Sequence, residues 1–231
     1  RIFISGSAPL LEETFTQFKV KTGKDILERY GMTETNIISS NPVDGKRKPS
    51  TVGLPLKDQF VRIVNDSNDL LELGEVGNIQ VKGENVFTGY WNLPDKTKED
   101  FSSDNFFNTG DKGYFDEEGY LVIVGRSKDM IITGGLNVYP KEVESYIDKI
   151  NGVNESAVVG LKDDDFGERV VAILVLEEKA KLTEKKVINL IKKSISGFKV
   201  PKEVIFVDKL PRNSMGKVQK NILRGSYDKK R

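Results

Sequence analysis

The sequence has 231 residues, 37% of them hydrophobic and 31% charged, a balance that fits a folded globular chain of one large domain or two smaller ones. Thirty-six lysines and arginines against 35 carboxylates leave a net charge of +1, too little to draw the chain toward nucleic acid or a membrane surface. Cysteine and histidine are both absent, which excludes a disulfide framework, thiolate sites, Ser-His-Asp and Cys-His catalysis, and HExxH zinc sites.

Chemistry in this chain has to use lysine, arginine, carboxylates, hydroxyls, backbone amides, or a metal held by oxygens. No run of 18 apolar residues occurs and no signal-peptide pattern is visible, so a cytoplasmic location without a membrane span is expected. Arg1 leads straight into the strand-like Ile2-Phe3-Ile4. That opening reads as a cut inside a domain whose N-terminal part lies upstream.

In chain order, residues 2–5 read as a buried strand that ends in the small-residue loop Ser5-Gly6-Ser7-Ala8-Pro9. A helix is expected from about Leu11 to Lys21, with Leu11, Phe15 and Phe18 on one face and Gly23 as its stop. Ile26-Leu27 is a short strand opening into the glycine-bearing loop Arg29-Tyr30-Gly31-Met32-Thr33-Glu34-Thr35. Strand, loop, helix, strand, loop is the pattern of an α/β sheet edge, and in such sheets ligands sit beyond the carboxyl ends of the strands.

From Thr51 to Arg126 the texture changes to short strands and frequent turns. Phe60–Val64, Asn78–Lys82 and Tyr120–Val124 are strand candidates, Pro94–Phe101 a helix, and Asn108-Thr109-Gly110-Asp111 a tight polar turn. After Arg126 the expected order is helix (141–150), strand (156–160), strand (169–176), helix (184–195) and strand (203–207). The first of these helices would bury Val143, Tyr146, Ile147 and Ile150, and the second Val187, Leu190, Ile191 and Ile195, behind a Thr183 cap. Between the two halves lies Gly125-Arg126-Ser127-Lys128-Asp129, followed by a short apolar run, the pair Gly134-Gly135, and Pro140 at the start of a helix. By itself this stretch reads first as a surface connection between strands, and only second as a junction between two bodies.

Each motif carries two readings. Ser5–Pro9 either lets backbone approach a planar ligand or makes an ordinary tight turn. Tyr30 can stack on a base, and Thr33 and Glu34 offer the hard oxygens that Mg²⁺ and phosphates take; a surface loop with a half-buried tyrosine is the alternative. Asp111 beside Gly110 can accept two hydrogen bonds from a vicinal diol, or serve turn chemistry alone. Gly216-Lys217 lacks the spacing of a phosphate loop, yet a lysine there is a deliverable point charge.

Taken together and in order, Ser5-Gly6-Ser7-Ala8-Pro9, Tyr30-Gly31-Met32-Thr33-Glu34, Thr109-Gly110-Asp111, Gly125-Arg126-Ser127-Lys128-Asp129 and Gly216-Lys217 resemble the adenylate-forming acyl-CoA synthetases. That superfamily also holds firefly luciferase and peptide-synthetase adenylation domains. The finer wording of the Leu27–Thr35, Ile132–Glu142 and Pro211–Lys220 stretches looks most like malonyl-CoA synthetases. The resemblance runs from Ser5 to Lys217 and marks the chain as a C-terminal portion.

It implies a fold of α/β plus α+β class. Residues 1–126 would be the end of a large AMP-binding domain, with an α/β portion (1–50) and a β-rich subdomain (51–126). Residues 127–231 would be a small C-terminal domain that rotates about Lys128. The implied reaction joins malonate to coenzyme A through an acyl-adenylate, with ATP and CoA as co-substrates and Mg²⁺ as cofactor. Ser7, Ala8 and Pro9 would line the adenine and acyl pocket, with Gly31 and Met32 in the nucleotide loop. Tyr30 would stack on adenine, Thr33 would contact the α-phosphate, and Glu34 would hold Mg²⁺. Asp111, beside Arg126, would take the ribose. Lys217 would bridge substrate carboxylate and α-phosphate, and Thr133, Gly134 and Gly135 would wall the pantetheine tunnel.

Two departures limit the resemblance. The family's Ser/Thr/Gly-rich phosphate loop is nowhere in this sequence and is expected upstream, so this chain alone is expected to lack full activity. Met215 stands where a small residue often precedes the Gly-Lys pair. For malonate's second carboxylate the chain offers Arg1 and Arg29, with an upstream arginine preferred. Other readings are a medium- or long-chain acyl-CoA synthetase, a carrier-protein-loading adenylation domain, or a non-catalytic nucleotide-binding module. No nucleic-acid partner is expected.

Overall fold

The computed structural model describes residues 1–6, 10–214 and 216–228. The chain forms two compact units, Arg1–Ser127 and Lys128–Arg231. The mixed α/β class expected from the sequence is observed, with several sheets rather than one.

In the first unit, β1 (Ile4–Ser5), β2 (Leu27–Met32), β3 (Asn36–Ser40) and β4 (Leu54–Pro55) form one sheet in that order, parallel between β1 and β2 and antiparallel after that. Helix α1 (Glu12–Thr22) crosses from β1 to β2 and stops where foreseen. Gly23 takes φ 68°, the left-handed conformation that ends a helix, and its N–H donates to Lys19 O. The expected buried strand at residues 2–5 is instead a two-residue strand, with Ile2, Phe3 and Ile4 43%, 40% and 52% exposed. The reason is its position at the sheet's edge, paired on one side with β2.

The glycine loop foreseen from Arg29 is mostly strand. β2 runs through Tyr30 and Gly31 to Met32, and Thr33–Thr35 alone make the turn into β3. A second, all-antiparallel sheet follows as β5 (Phe60–Val64), β6 (Gly77–Lys82), β7 (Phe107–Phe115) and β8 (Leu121–Arg126). Helix α2 (Pro94–Asp100) lies in the β6–β7 connection and starts on its proline. Asn108–Asp111, expected as a turn, sits inside β7, where Gly110 takes φ 74° and the ladder slips register. Ile38 of β3 shares one core with Val52, Ile63, Ile79, Val81 and Leu121, so the two sheets are packed together.

The second unit is one sheet with helices on both faces. β9 (Ile131–Thr133) and β10 (Leu136–Val138) form a hairpin that the sequence reading did not foresee. Gly134 and Gly135, at φ 57° and 78°, supply its two-residue turn, the type in which both central residues need positive φ. Helix α3 (Pro140–Ile147), β11 (Val153–Asp163), β12 (Gly167–Leu176), α4 (Glu184–Ile191), β13 (Glu203–Phe206) and α5 (Lys220–Tyr227) follow. β12 is central, antiparallel to β11 along its length and parallel to β13 on its other edge.

Alternation along β12 decides which residues meet which helix. Val170, Ala172 and Leu174 join Val143 and Ile147 of α3 and Val187 and Ile191 of α4. Val171, Ile173 and Val175 join Leu210 and Leu223 on the face that α5 covers. Each fully buried aliphatic side chain of this kind contributes roughly 1.5–3 kcal/mol. Tyr146 and Leu190, expected on the buried faces, are 38% and 40% exposed, because they lie at the rims of the stripes centred on Val143 with Ile147 and on Val187 with Ile191.

Candidate active site

Three strands of the first unit bring their chemistry to one place. Tyr30 of β2 donates its hydroxyl to Asp111 Oδ2 at 2.6 Å, and Arg126 Nε of β8 stands 3.3 Å from Asp111 Oδ1. Asp111 is 6% exposed and pairs in register with Arg126 across the β7–β8 ladder. Thr109 braces the approach. Its hydroxyl donates to Ile79 O at 2.9 Å and accepts from Asp111 N at 3.2 Å. Burial, and after it the Asp111 charge, push the Tyr30 hydroxyl well above the ordinary phenol value. Tyr30 therefore stays a donor, with Asp111 as its acceptor.

Gly31 is required where it stands. A Cβ there would lie 1.9 Å from the carbonyl oxygen of Asn36, across a ladder irregularity next to Tyr30. The Thr33–Thr35 turn that follows is tight, with Thr35 N donating to Met32 O at 3.1 Å. Thr33 is exposed at its tip and Glu34 half-buried. Among the described residues no cluster of three or more carboxylates stands ready for a metal. Glu34 offers one carboxylate, which matches Mg²⁺ taken with substrate phosphates and water rather than in a protein cage. Ser7, Ala8 and Pro9 lie outside the described residues.

The second unit holds Lys217 on a loop closed by its own neighbours. Asn213 grips that lysine's backbone from both sides. Asn213 Oδ1 accepts from Lys217 N at 2.9 Å, and Asn213 N donates to Lys217 O at 3.0 Å. Arg212 donates to Gly216 O at 2.6 Å and pairs with Glu155 of β11. Just beyond, Lys220 at the start of α5 pairs with the buried Glu144 of α3 at 2.6 Å. Among the described residues the Lys217 ammonium has no carboxylate within ion-pair distance.

Thr133 is buried, and the Gly134-Gly135 turn is tied down by Gly134 N donating to Phe166 O at 2.8 Å. Lys128 is exposed in the short 3-10 turn Ser127–Asp129, where the two units meet along the chain. Asp129 pairs with Arg224 of α5 at 2.9 Å. Asn213, Arg212 and the Glu144–Lys220 pair were passed over in the sequence. An asparagine four residues before a lysine in a Pro- and Gly-bearing loop was the available signal for the first.

Residues 1–91 match the protein-family model of AMP-binding enzymes, and residues 142–217 match that of the AMP-binding enzyme C-terminal domain. The chain is 39% identical over 232 residues to oxalate–CoA ligase of Saccharomyces cerevisiae, covering 99% of this chain and 42% of that protein. It is 40% identical over 239 residues to malonate–CoA ligase of Arabidopsis thaliana, covering 99% and 39%. The solved structure of ATP-bound MatB from Rhodopseudomonas palustris shares 53% identity and a TM-score of 0.97, covering 99% of this chain and 46% of that one. The chain thus spans about two fifths of the curated relatives it matches. With two successive models of one enzyme family matched in order, and the fold shared with MatB, the chain belongs to the adenylate-forming AMP-binding enzymes.

Proposed function

We propose that this chain serves an AMP-forming acid–thiol ligase that makes malonyl-CoA. In the first half-reaction a malonate carboxylate attacks the α-phosphate of Mg·ATP, giving malonyl-adenylate and pyrophosphate. In the second, the coenzyme A thiol displaces AMP and leaves the thioester. The observation that carries this reading is the Tyr30–Asp111–Arg126 cluster. An aromatic face, a buried carboxylate and a guanidinium converge there, which is the chemistry that an adenine ribonucleotide asks for.

Asp111 would accept from the ribose hydroxyls, with Arg126 holding its other oxygen, and Tyr30 would offer its ring to adenine. Thr33 would donate to the α-phosphate. Mg²⁺ would neutralise charge on the pyrophosphate, and Glu34 is the carboxylate that would hold it. Lys217 would meet the attacking carboxylate and the α-phosphate, where negative charge accumulates. A donor aimed there stabilises the transition state by about 3 kcal/mol. Turning about Lys128 would then withdraw Lys217 and bring Thr133, Gly134 and Gly135 to the thiol.

Malonate is favoured because oxalate and malonate, the acids named for two relatives, are both short diacids. Within this chain Arg29 would be a candidate for the second carboxylate, beside the upstream arginine expected from the resemblance. Arg29 is exposed beside Tyr30, its stem lies against Gly6, and it has no ion pair among the described residues. The test is a panel of acids offered with ATP and coenzyme A to the protein that carries this chain. Malonate should be turned over and long apolar acids rejected. Preference for a long-chain acid would sink the malonate assignment, and nucleotide binding without ATP–pyrophosphate exchange would sink the ligase.

A further inference from the structure

The turn that carries Glu34 is gripped by a segment some 50 residues further on, in the connection between β6 and α2. Phe87 N donates to the Glu34 carbonyl at 2.8 Å. The Asn85 amide donates to Thr35 O and lies 3.5 Å from Ile37 O. Tyr90 donates its hydroxyl to Glu34 Oε1 at 3.3 Å. Both the backbone and the side chain of Glu34 are thus tied to one short stretch of chain.

That stretch is itself rigid. The Phe87 ring meets Tyr90 edge-on at 4.8 Å and continues into Phe101 and Phe107. Tyr90 N donates to Thr97 Oγ1 at 2.9 Å, anchoring the segment to α2. Asp100 flanks the same hydroxyl but is engaged by Lys96 at 2.8 Å. A phenol keeps its proton at neutral pH, so the Tyr90 hydroxyl is the donor of this contact.

We propose that Tyr90 is a positioning residue, fixing the Glu34 carboxylate so that one oxygen faces a divalent cation. This rests on the reading of Glu34 as the carboxylate for Mg²⁺. A half-buried glutamate without a side-chain partner still samples several rotamers, and ordering it on binding costs affinity. A donor on Oε1 removes that cost in advance and leaves Oε2 for the cation. Supporting partners of this kind typically govern metal affinity by tenfold or more.

Tyr90→Phe keeps the ring and deletes the hydroxyl. In the protein that carries this chain, calorimetric titration with ATP at a series of Mg²⁺ concentrations should show about tenfold weaker Mg·ATP binding. Binding of metal-free ATP and the melting temperature should be unchanged. The KM for Mg·ATP should rise while thioester formation from supplied malonyl-adenylate stays level. Asn85→Ser, which releases the turn's carbonyls without touching Tyr90, should give the same selective loss. Wild-type Mg²⁺ dependence in Tyr90→Phe beside a defective Glu34→Gln overturns the proposal. So does equal weakening of metal-free and Mg²⁺-loaded ATP binding with a lowered melting temperature, which would make Tyr90 a packing residue. Wild-type Mg²⁺ dependence in Glu34→Gln overturns the reading of Glu34 itself.

Discussion

The nucleotide cluster of the first unit and the lysine loop of the second are built in opposite ways. Tyr30, Asp111 and Arg126 come from three strands, up to 96 residues apart in sequence, and meet around a buried carboxylate. The Lys217 loop is closed within six residues, by Asn213, Arg212 and Gly216. In the cluster the Asp111 charge is matched by Arg126, whereas the loop holds up a lysine with no carboxylate partner among the described residues. A matched, buried cluster ties binding to folding, because each member is also a structural partner. A locally closed loop can lose its charge and leave the fold intact.

The largest effect expected on the loop side is that of Lys217→Ala. It should lower adenylate formation by 10²-fold or more, corresponding to about 3 kcal/mol of lost stabilisation, and spare thioester formation from supplied malonyl-adenylate. The melting temperature should not move. Equal loss of both half-reactions would break the contrast, since the loop would then serve more than one step.

On the cluster side, Gly31→Ala should destabilise the first unit by about 3 kcal/mol, because the added Cβ meets the backbone of Asn36 and not a side chain that can turn away. Urea unfolding followed by amide exchange reads this unit by unit. A cost below about 1 kcal/mol would mean that the β2–β3 hairpin yields easily and is no rigid seat.

Asn213→Ala tests the clasp without touching the charge. Losing the side-chain oxygen that accepts from Lys217 N, while the backbone bond to Lys217 O stays, should slow adenylation roughly fivefold to tenfold, with nucleotide affinity unchanged. Loss of affinity instead of rate would place Asn213 in binding rather than in presenting Lys217.

The smallest effect concerns pH. Hydrogen bonds from Arg62, then Ser102, hold the Asp104 carboxyl of the first unit down at about 2. A depressed carboxylate stabilises the fold above its unfolded value, and that contribution fades as pH falls from about 4 toward 2. In the second unit burial pushes the Asp148 carboxyl up, against the Ser156 hydroxyl that donates to it at 2.6 Å. Its contribution has the opposite sign: it is present below the unfolded value and lost as pH rises through the folded one. Acid should therefore strip amide protection from the first unit before the second. Simultaneous loss would show that these two carboxyls do not set the order.

Much of this fold was legible where the cause is local. The α1 stop at Gly23, the Thr183 cap of α4 and the proline starts of α2 and α3 follow from residues within a turn of each other. The run 169–176 read as a strand because β-branched residues fill both of its faces, and β12 is covered on both. Thr33–Thr35 kept its turn, but the continuation of β2 past Leu27 and the whole of β3 were missed. Gly31 looked like a loop residue, and the close approach of Asn36 that demands a glycine exists only in the hairpin. The Gly134-Gly135 pair looked bare for the same reason.

By itself the sequence determined which chemistry is available, the family motifs and their order, and the helix ends and strand faces set by neighbours along the chain. Tertiary structure alone decided that Tyr30 donates to Asp111, that Asp111 lies within a strand, and that Tyr90 reaches Glu34. The physical reason is separation along the chain. A cap or a periodic face is fixed by groups a few bonds apart, which every conformer of the segment keeps close. A contact spanning 56 or 81 residues exists only after the packed sheets have closed the intervening loop.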